Sequence, residues 1–562
     1  AGWPSDVPPL LRRVYAARGA TSLAAARPTL AGLLPPDGLL DLDRAVDLLA
    51  GAIADGRRIL VVGDFDADGA TACALAVRGL RMLGAREVLH AVPNRMVHGY
   101  GLSPALVDEL AAVEPALLVT VDHGIACYAG VEAAKARGWQ ILVTDHHLPG
   151  ERLPPADAIV NPNRHGDGFP GKSLAGVGVM FYVLLALRAR LRAEGRVEGK
   201  GPDLAQLLDL VAVGTVADLV PLDANNRALV AAGLHRLRAG RACPGLMALV
   251  EVSGRRAGAL VAADIGFAIG PRLNAAGRLE DMALGIECLL CDDPARAREL
   301  AMRLDAINRE RRSVQETMLD EAERALAARP LDAVGDPGAA PAAVCAYDPG
   351  WHPGVVGLVA SRLKERLHRP VVAFAPAEPG SAVLRGSARS IPGFHVRDAL
   401  AAIDVKYPGL VERFGGHAMA AGLTLDATRL EAFQAAFQDH AAAMLDASIL
   451  QATLDSDGAL SAHEFDRLHA EALRDGGPWG QGFPEPLFDG EFEVAGWRVV
   501  GERHLRLELR TEGVPGPLAA IHFGAWQGNA PPPRARLAYR LQPDDYRGGS
   551  AIQLVVEHLE PC

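Results

Sequence analysis

Arg58-Ile59-Leu60-Val61-Val62-Gly63-Asp64-Phe65-Asp66-Ala67-Asp68-Gly69 passes from an apolar run straight into three carboxylates. Two later stretches end the same way. Leu117-Leu118-Val119-Thr120-Val121 leads into Asp122-His123-Gly124, and Ile141-Leu142-Val143-Thr144 leads into Asp145-His146-His147. Short Val/Leu/Ile runs fit buried parallel strands, and open α/β sheets place ligands beyond the carboxyl ends of such strands. Three strand ends would converge these Asp and His residues on one edge. So many carboxylates repel one another unless divalent metal lies between them. Oxygen ligands mixed with imidazole suit Mn²⁺ or Mg²⁺, and a two-metal site suits phosphoester hydrolysis.

The carboxylates of Asp64, Asp66 and Asp68 share one tight turn, and Gly69 lets the backbone fold back without a Cβ clash. A further apolar segment, Val211 to Ala217, ends in Asp218, which is either a fourth ligand or the cap of a buried helix.

Outward from this core, residues 58–160 alternate apolar runs with helix-like segments, the rhythm of a parallel sheet. Asp292-Asp293-Pro294 offers an N-cap and a first-turn proline, and Leu300, Leu304, Ile307, Val314 and Met318 keep helical spacing as far as Pro330. The Gly/Pro/Ala-rich segment Leu331 to Pro341 marks a boundary before a second α/β pattern that runs to about residue 440. Alternating segments within 497–510 and 536–559 then suggest a small antiparallel barrel. The expected fold is a multidomain α/β protein with a parallel-sheet core over 1–291, a connector helix over 292–330, a second α/β domain over 331–440 and a barrel domain over 441–562.

Composition sets wider bounds. The chain has 562 residues, 49% hydrophobic and 22% charged, as expected of a multidomain soluble protein. No stretch is apolar for long enough to span a bilayer, and the first residues lack a signal-peptide pattern. Seven scattered cysteines argue for a reducing compartment, so the cytoplasm is expected. The net charge of −11 argues against a uniformly basic surface but leaves room for a local basic groove. Gly166 to Ser173 matches the P-loop pattern literally but follows no strand directly, so nucleotide binding is not expected there. Cys288 and Cys291 lack a second ligand pair for zinc.

Asp64–Gly69, Val121–Gly124, Asp145–His147 and Gly214–Asp218 resemble the four successive motifs of the DHH phosphoesterases. Pro93-Asn94-Arg95 with Gly99-Tyr100-Gly101, Ser173 to Gly178, and Pro271 to Arg278 narrow the resemblance to the bacterial RecJ exonuclease family. That resemblance implies a 5′→3′ exonuclease on single-stranded DNA, with two Mn²⁺ or Mg²⁺ ions, serving repair and recombination. It assigns Asp66, Asp68, Asp122, His146 and Asp218 to metal, with Asp122 reaching both ions. Asp64, Asp145 and His147 join Asp122 and His146 as catalytic candidates. Asn94, Arg95, Arg272, Asn274 and Arg278, the last three in a compact loop, are expected at the strand. So are His352, Ser387, Arg389, Gly415, Gly416 and His417 of a DHH-associated domain.

The barrel resembles an OB-fold, in which Trp497, Phe523, Trp526, Tyr539 and Tyr546 are candidate base-stacking residues. A single-strand-binding protein and a helicase are implied as partners, with a monomer as the expected state and no membrane association. Hydrolysis itself is expected not to need residues after Ala441. The rival functions are a phosphodiesterase of oligoribonucleotides or cyclic dinucleotides, and a catalytically silent strand-binding subunit. The intact Asp and His set argues against the second.

Overall fold

A computed structural model describes residues 3–95, 97–327, 341–446, 448–526 and 528–562. The chain divides into two compact units. The first combines residues 1–305 with 455–562, and the second spans 306–454.

In the first unit, β1 (Ile59–Gly63), β2 (Val88–Ala91), β3 (Leu117–Val121), β4 (Gln140–Thr144) and β5 (Ala158–Val160) form an all-parallel sheet in the order β2-β1-β3-β4-β5. One face buries Leu60, Val62, Leu118, Ile141 and Val143 with residues of the helices Pro104–Leu110 and Tyr128–Ala136. The helices Leu42–Ala54, Ala67–Met82 and Gly176–Ala193 cover the other face. Burial on both sides explains why these strands are continuous Val/Leu/Ile runs rather than alternating ones. The chain leaves β1 to one side for β2 and returns on its other side as β3. The crevice of this doubly wound sheet therefore opens between the carboxyl ends of β1 and β3, where Asp64 and Asp122 follow.

The connector helix is continuous over Pro294–Ala327, and the division between units falls within it. The expected boundary segment 331–341 lies, Pro341 apart, outside the described residues.

The second unit carries β6 (Val344–Tyr347), β7 (Val371–Pro376), β8 (Val383–Arg389), β9 (Arg413–Gly416) and β10 (Ala420–Asp426) in the order β6-β7-β8-β10-β9. Only the β6–β7 pair is parallel. Its core gathers Phe374, Leu384, Leu423, Leu425, Phe433 and Phe437.

Back in the first unit, β11 (Phe488–Val500), β12 (His504–Arg510), β13 (Leu518–His522), β14 (Arg534–Pro543) and β15 (Ile552–Pro561) close into a five-stranded barrel. Among the described residues no helix is long and apolar enough to cross a membrane.

One sequence expectation is corrected. Pro271 to Arg278 is not a loop but belongs to the helix Gly270–Leu279. Pro271 comes directly after the π-helical turn Ile265–Ile269, an irregularity that accommodates a residue without a backbone N–H. Gly277 marks a close approach, since a Cβ there would fall 1.9 Å from the Phe65 carbonyl oxygen. The residues that precede the barrel pack on the N-terminal helix. Tyr15 of the N-terminal helix Pro9–Ala17 packs against Trp479 and Phe483, with ring centroids 5.8 and 6.4 Å away.

Candidate metal centre

The three strand ends do converge. Asp66 caps the helix Ala67–Met82, accepting from the Gly69 amide at 3.0 Å. The chain turns so tightly that a Cβ on Gly69 would lie 2.5 Å from the backbone of Asp64. Asp68, one turn on, is fully buried and accepts from the amides of Gly176 (2.6 Å) and Val177 (2.9 Å) at the start of the helix Gly176–Ala193. Asp122 follows β3 with φ +65°, a left-handed conformation that Asp tolerates better than most residues. Gly176 lies against it, since a Cβ there would meet the Asp122 side chain at 2.5 Å. Asp218 is the C-cap of the helix Leu208–Ala217.

His146 joins these groups. Its Nε2 lies 3.1 Å from Asp122 Oδ1, 3.5 Å from Asp218 Oδ2 and 3.9 Å from Asp68 Oδ2. Three sets of donors gather closely enough to hold a cation: Asp64, Asp66 and Asp122; Asp68, His146 and Asp218; and Asp122, His146 and His147. Asp122 and His146 each belong to two of them.

Without a cation the cluster is electrostatically unsatisfied. Burial, and then the charge of Asp66, pushes the Asp68 carboxyl up to about 7. Asp64, Asp122 and Asp218 are raised in the same way, burial first and neighbouring carboxylates next. Burial, with the charge of His147, pushes His146 down to about 4 against a hydrogen bond with the Leu174 backbone. A neutral imidazole thus faces the carboxylates. The buried atoms Asp122 Oδ1 and His146 Nε2 form no hydrogen bond. Oxygen-rich donors with one imidazole and two orphaned buried atoms fit Mn²⁺ or Mg²⁺.

Asp145 does different work. Its carboxylate accepts from the amides of Ile125, His146 and His147 and from His147 Nδ1 at 2.7 Å. Burial opposes its charge, but His147 outweighs burial and holds it below the ordinary carboxylate range. Burial likewise opposes charge on His147, yet the Asp145 partner raises it to about 9. Asp145 therefore positions a cationic His147. Arg95 stacks over Phe65 at 4.1 Å, and Phe65 meets Tyr100 edge-on. Tyr100 is edge-on to His147 in turn.

These shifts have a measurable consequence. A carboxyl raised in the folded state stabilises the protein in acid, and that contribution is lost as pH rises through about 7. The raised His147 changes stability in the same direction, through about 9. The metal-free protein should melt higher at pH 6 than at pH 8, and Mn²⁺ should raise the melting temperature more at pH 8. Melts in EDTA and in Mn²⁺ at both pH values check this, and equal increments would exclude it.

Other expected site residues are placed less directly. Arg272 is buried and donates to Asp305 (Nε to Oδ1, 2.9 Å) and to the Ala268 carbonyl. Asn274 accepts from the Ala67 amide at 2.8 Å and so fixes the turn that carries Asp66 and Asp68. The Asn94 amide donates to His98 Nδ1. Arg278 is half-buried on the same helix as Asn274.

In the second unit, Arg389 donates to the hydroxyls of Ser387 (3.0 Å) and Ser361 (3.1 Å). Ser387 pairs across with Gly422, and Gly422 with Gly415. Gly416 has φ +138°, and His417 is exposed beside it. His352 accepts from the Gly354 amide, four residues before the helix Val356–Leu367.

On the barrel, Trp497 and Trp526 stack at 5.5 Å, and Phe523 and Tyr546 are exposed. Tyr539 is 1% exposed and belongs to the core, not to a stacking surface. Lys172 of the P-loop-like stretch is consumed by Asp167 and the Pro162 carbonyl.

Sequence reasoning missed the amides of Gly176 and Val177, though Ala175-Gly176 before an apolar helical run was the available signal. It also missed Asn161 and Asn163, which donate to the carbonyls of His147 and His146.

Similarity to known proteins agrees along the chain. The DHH family, N-terminal domain, matches residues 58–215, the DHHA1 domain 340–443 and the RecJ OB domain 456–558. The single-stranded-DNA-specific exonuclease RecJ of Salmonella typhimurium is 50% identical, over 99% of this chain and 97% of its own length. That of Escherichia coli is 49% identical, over 100% and 97%. The crystal structure of RecJ in complex with Mn²⁺ from Thermus thermophilus superposes with a TM-score of 0.80 at 33% identity, covering 99% of this chain and 76% of that one. A second, in complex with Mg²⁺, gives 0.76 at 31% identity, over 99% and 75%. With such identity sustained from end to end, the chain belongs to the RecJ family of DHH proteins.

Proposed function

We infer that this protein is a metal-dependent exonuclease specific for single-stranded DNA, acting 5′→3′ and releasing mononucleotides in DNA repair and recombination. The observation that carries this reading is the convergence of Asp64, Asp66, Asp68, Asp122, His146 and Asp218 on one sheet edge, in a family whose relatives are named single-stranded-DNA-specific exonucleases. Asp66, Asp68, Asp122, His146 and Asp218 would hold two divalent cations, Mn²⁺ or Mg²⁺. Asp122 belongs to two of the donor groups, and Asp64 joins Asp66 in one of them. Cations at these positions supply Lewis acidity toward a phosphodiester and an acidified water.

The chain's own groups do the rest. The neutral His146 offers Nε2 as a donor. His147, kept cationic by Asp145, provides positive charge for a phosphate. Asn94, Arg95 and Arg278 are the strand contacts in the first unit. Arg272 and Asn274 act through the helix they brace. In the second unit, the Arg389–Ser387 pair, the exposed Gly415, Gly416 and His417, and the turn at His352 supply donors suited to phosphate. The four domains proposed from the sequence, 1–291, 292–330, 331–440 and 441–562, describe the order of function along the chain.

A single-strand-binding protein and a helicase are the proposed protein partners, the monomer is the proposed state, and the cytoplasm, suited to seven free cysteines, the proposed compartment.

Oligonucleotides labelled at either end, single- or double-stranded, test the reading in Mn²⁺, Mg²⁺ or EDTA. Labelled mononucleotide should leave first from the 5′ end of single strands and only with metal. Release from the 3′ end, or equal digestion of duplex, would overturn it.

A further inference from the structure

We propose that Asn226 is a positioning residue of the metal centre, tying together the two backbone segments that hold its ligands. The proposal rests on the two-cation reading above. Asn226 lies fully buried in the first turn of the helix Ala224–Arg238. Its Nδ2 donates to the Ser173 carbonyl at 2.7 Å and to the Pro221 carbonyl at 2.9 Å.

Both acceptors belong to ligand-bearing segments. Ser173 opens the stretch whose Gly176 and Val177 amides hold Asp68 and whose Gly176 packs on Asp122. The backbone of Leu174, the next residue, is hydrogen-bonded with His146. Pro221 lies three residues beyond Asp218, just after Leu219 with its φ of +62°. One side chain therefore fixes the segment behind Asp68, Asp122 and His146 relative to the segment that presents Asp218.

The anchor behind it is rigid. The Asn226 amide donates to the Asp223 carboxylate at 2.9 Å, Leu222 donates to the Gln481 carbonyl at 2.6 Å, and Arg227 donates to the Leu222 carbonyl at 2.8 Å. The task suits asparagine, whose neutral amide carries two N–H groups for two carbonyls. Aspartate would face both carbonyls with negative charge, and alanine would leave both unsatisfied inside the protein. Groups that orient metal ligands from behind affect metal affinity nearly as directly as the ligands do.

Asn225 provides a matched control. It is also buried, and its Oδ1 accepts from the Leu34 amide and the Tyr182 hydroxyl, both at 3.0 Å. Leu34 lies far from the ligands in sequence, and Tyr182 is in the second turn of the helix Gly176–Ala193, beyond the amides that hold Asp68.

The test compares full-length wild type, Asn226→Ala and Asn225→Ala by Mn²⁺ calorimetry, melting curves and turnover against Mn²⁺ concentration. Asn226→Ala should weaken Mn²⁺ binding about tenfold to a hundredfold, with turnover recovering at high Mn²⁺. Asn225→Ala should lower the melting temperature yet bind Mn²⁺ as wild type does. Wild-type affinity in a folded Asn226→Ala, or equal weakening in Asn225→Ala, overturns the proposal. Absence of Mn²⁺ binding in wild type would instead overturn the two-cation reading.

Should Asn226→Ala not fold, hydrogen exchange of the wild type decides. Residues 173–177 and 218–223 should gain protection at one Mn²⁺ midpoint. Protection of one segment without the other overturns the link.

Discussion

Asp122→Ala should abolish metal-dependent hydrolysis while leaving the metal-free protein as stable as wild type or more so. Asp122 is the one carboxylate shared between two of the donor groups, so its loss removes the link between the cations as well as a ligand. The expected fall in turnover is on the order of a thousandfold or more, the scale seen when a transition-state charge stabiliser is removed. Stability moves the other way. A buried carboxylate whose pKa is raised by burial and by Asp68, Asp66 and Asp218 is a repulsive burden on the empty cluster. The left-handed φ at this position opposes the gain, costing alanine roughly 1–2 kcal/mol. Asp122→Asn avoids that penalty and should show the stability gain more clearly. Single-turnover assays across a Mn²⁺ titration, with a melting curve for each variant, check both halves. Activity near the wild-type level at high Mn²⁺ would remove the two-cation assignment.

The centre was legible because its ligands follow directly on the apolar strands that place them. A parallel strand buried on both faces must be apolar, and the sheet must then release the chain at a ligand-bearing edge, so Asp64, Asp122 and Asp145 announce themselves. The roles within that edge were less legible. Asp145 and Asp122 occupy equivalent places in sequence, yet one is fully engaged by amides and His147 while the other keeps an orphaned oxygen toward His146. Only three-dimensional neighbours separate them. The stretch Pro271 to Arg278 misled because its proline and glycine read as loop, whereas the π-helical turn before it accommodates the one and close packing on Phe65 demands Gly277. The partner of Arg272, Asp305, was likewise not legible, since it lies 33 residues away. The partner of Trp479 was not legible, since Tyr15 lies 464 positions away.

That packing changes what removing the barrel should do. A chain ending near His440 was expected to keep its chemistry provided that it folds, and the contacts of Arg18 and Tyr15 with later residues mean that it should fail to fold natively. Arg18 is buried and forms a bidentate pair with Asp457, at 2.7 and 3.0 Å. Stripping one partner from a buried pair costs roughly 3–5 kcal/mol. The ring contacts of Tyr15 with Trp479 and Phe483 add about 0.5–1.5 kcal/mol each, and Phe483 also lies 4.0 Å beneath the Arg227 guanidinium. These losses consume much of the roughly 5–15 kcal/mol that holds a typical domain folded.

A strand-gripping role for the barrel must therefore be tested on the full chain. Arg498 and Arg506 pair directly across β11 and β12, a like-charge pairing that disfavours the sheet unless an anion lies over it. The Trp497–Trp526 stack and exposed Phe523 offer faces for bases on the same barrel. Replacing Arg498 and Arg506 with alanine, alone and with Trp526→Ala, should weaken binding of long single strands. It should also flatten the salt dependence, by about one unit of slope for each phosphate no longer neutralised. Turnover of very short oligonucleotides should change least, and the melting temperature little. Unchanged strand affinity and salt slope in these folded variants would show that these residues do not hold DNA.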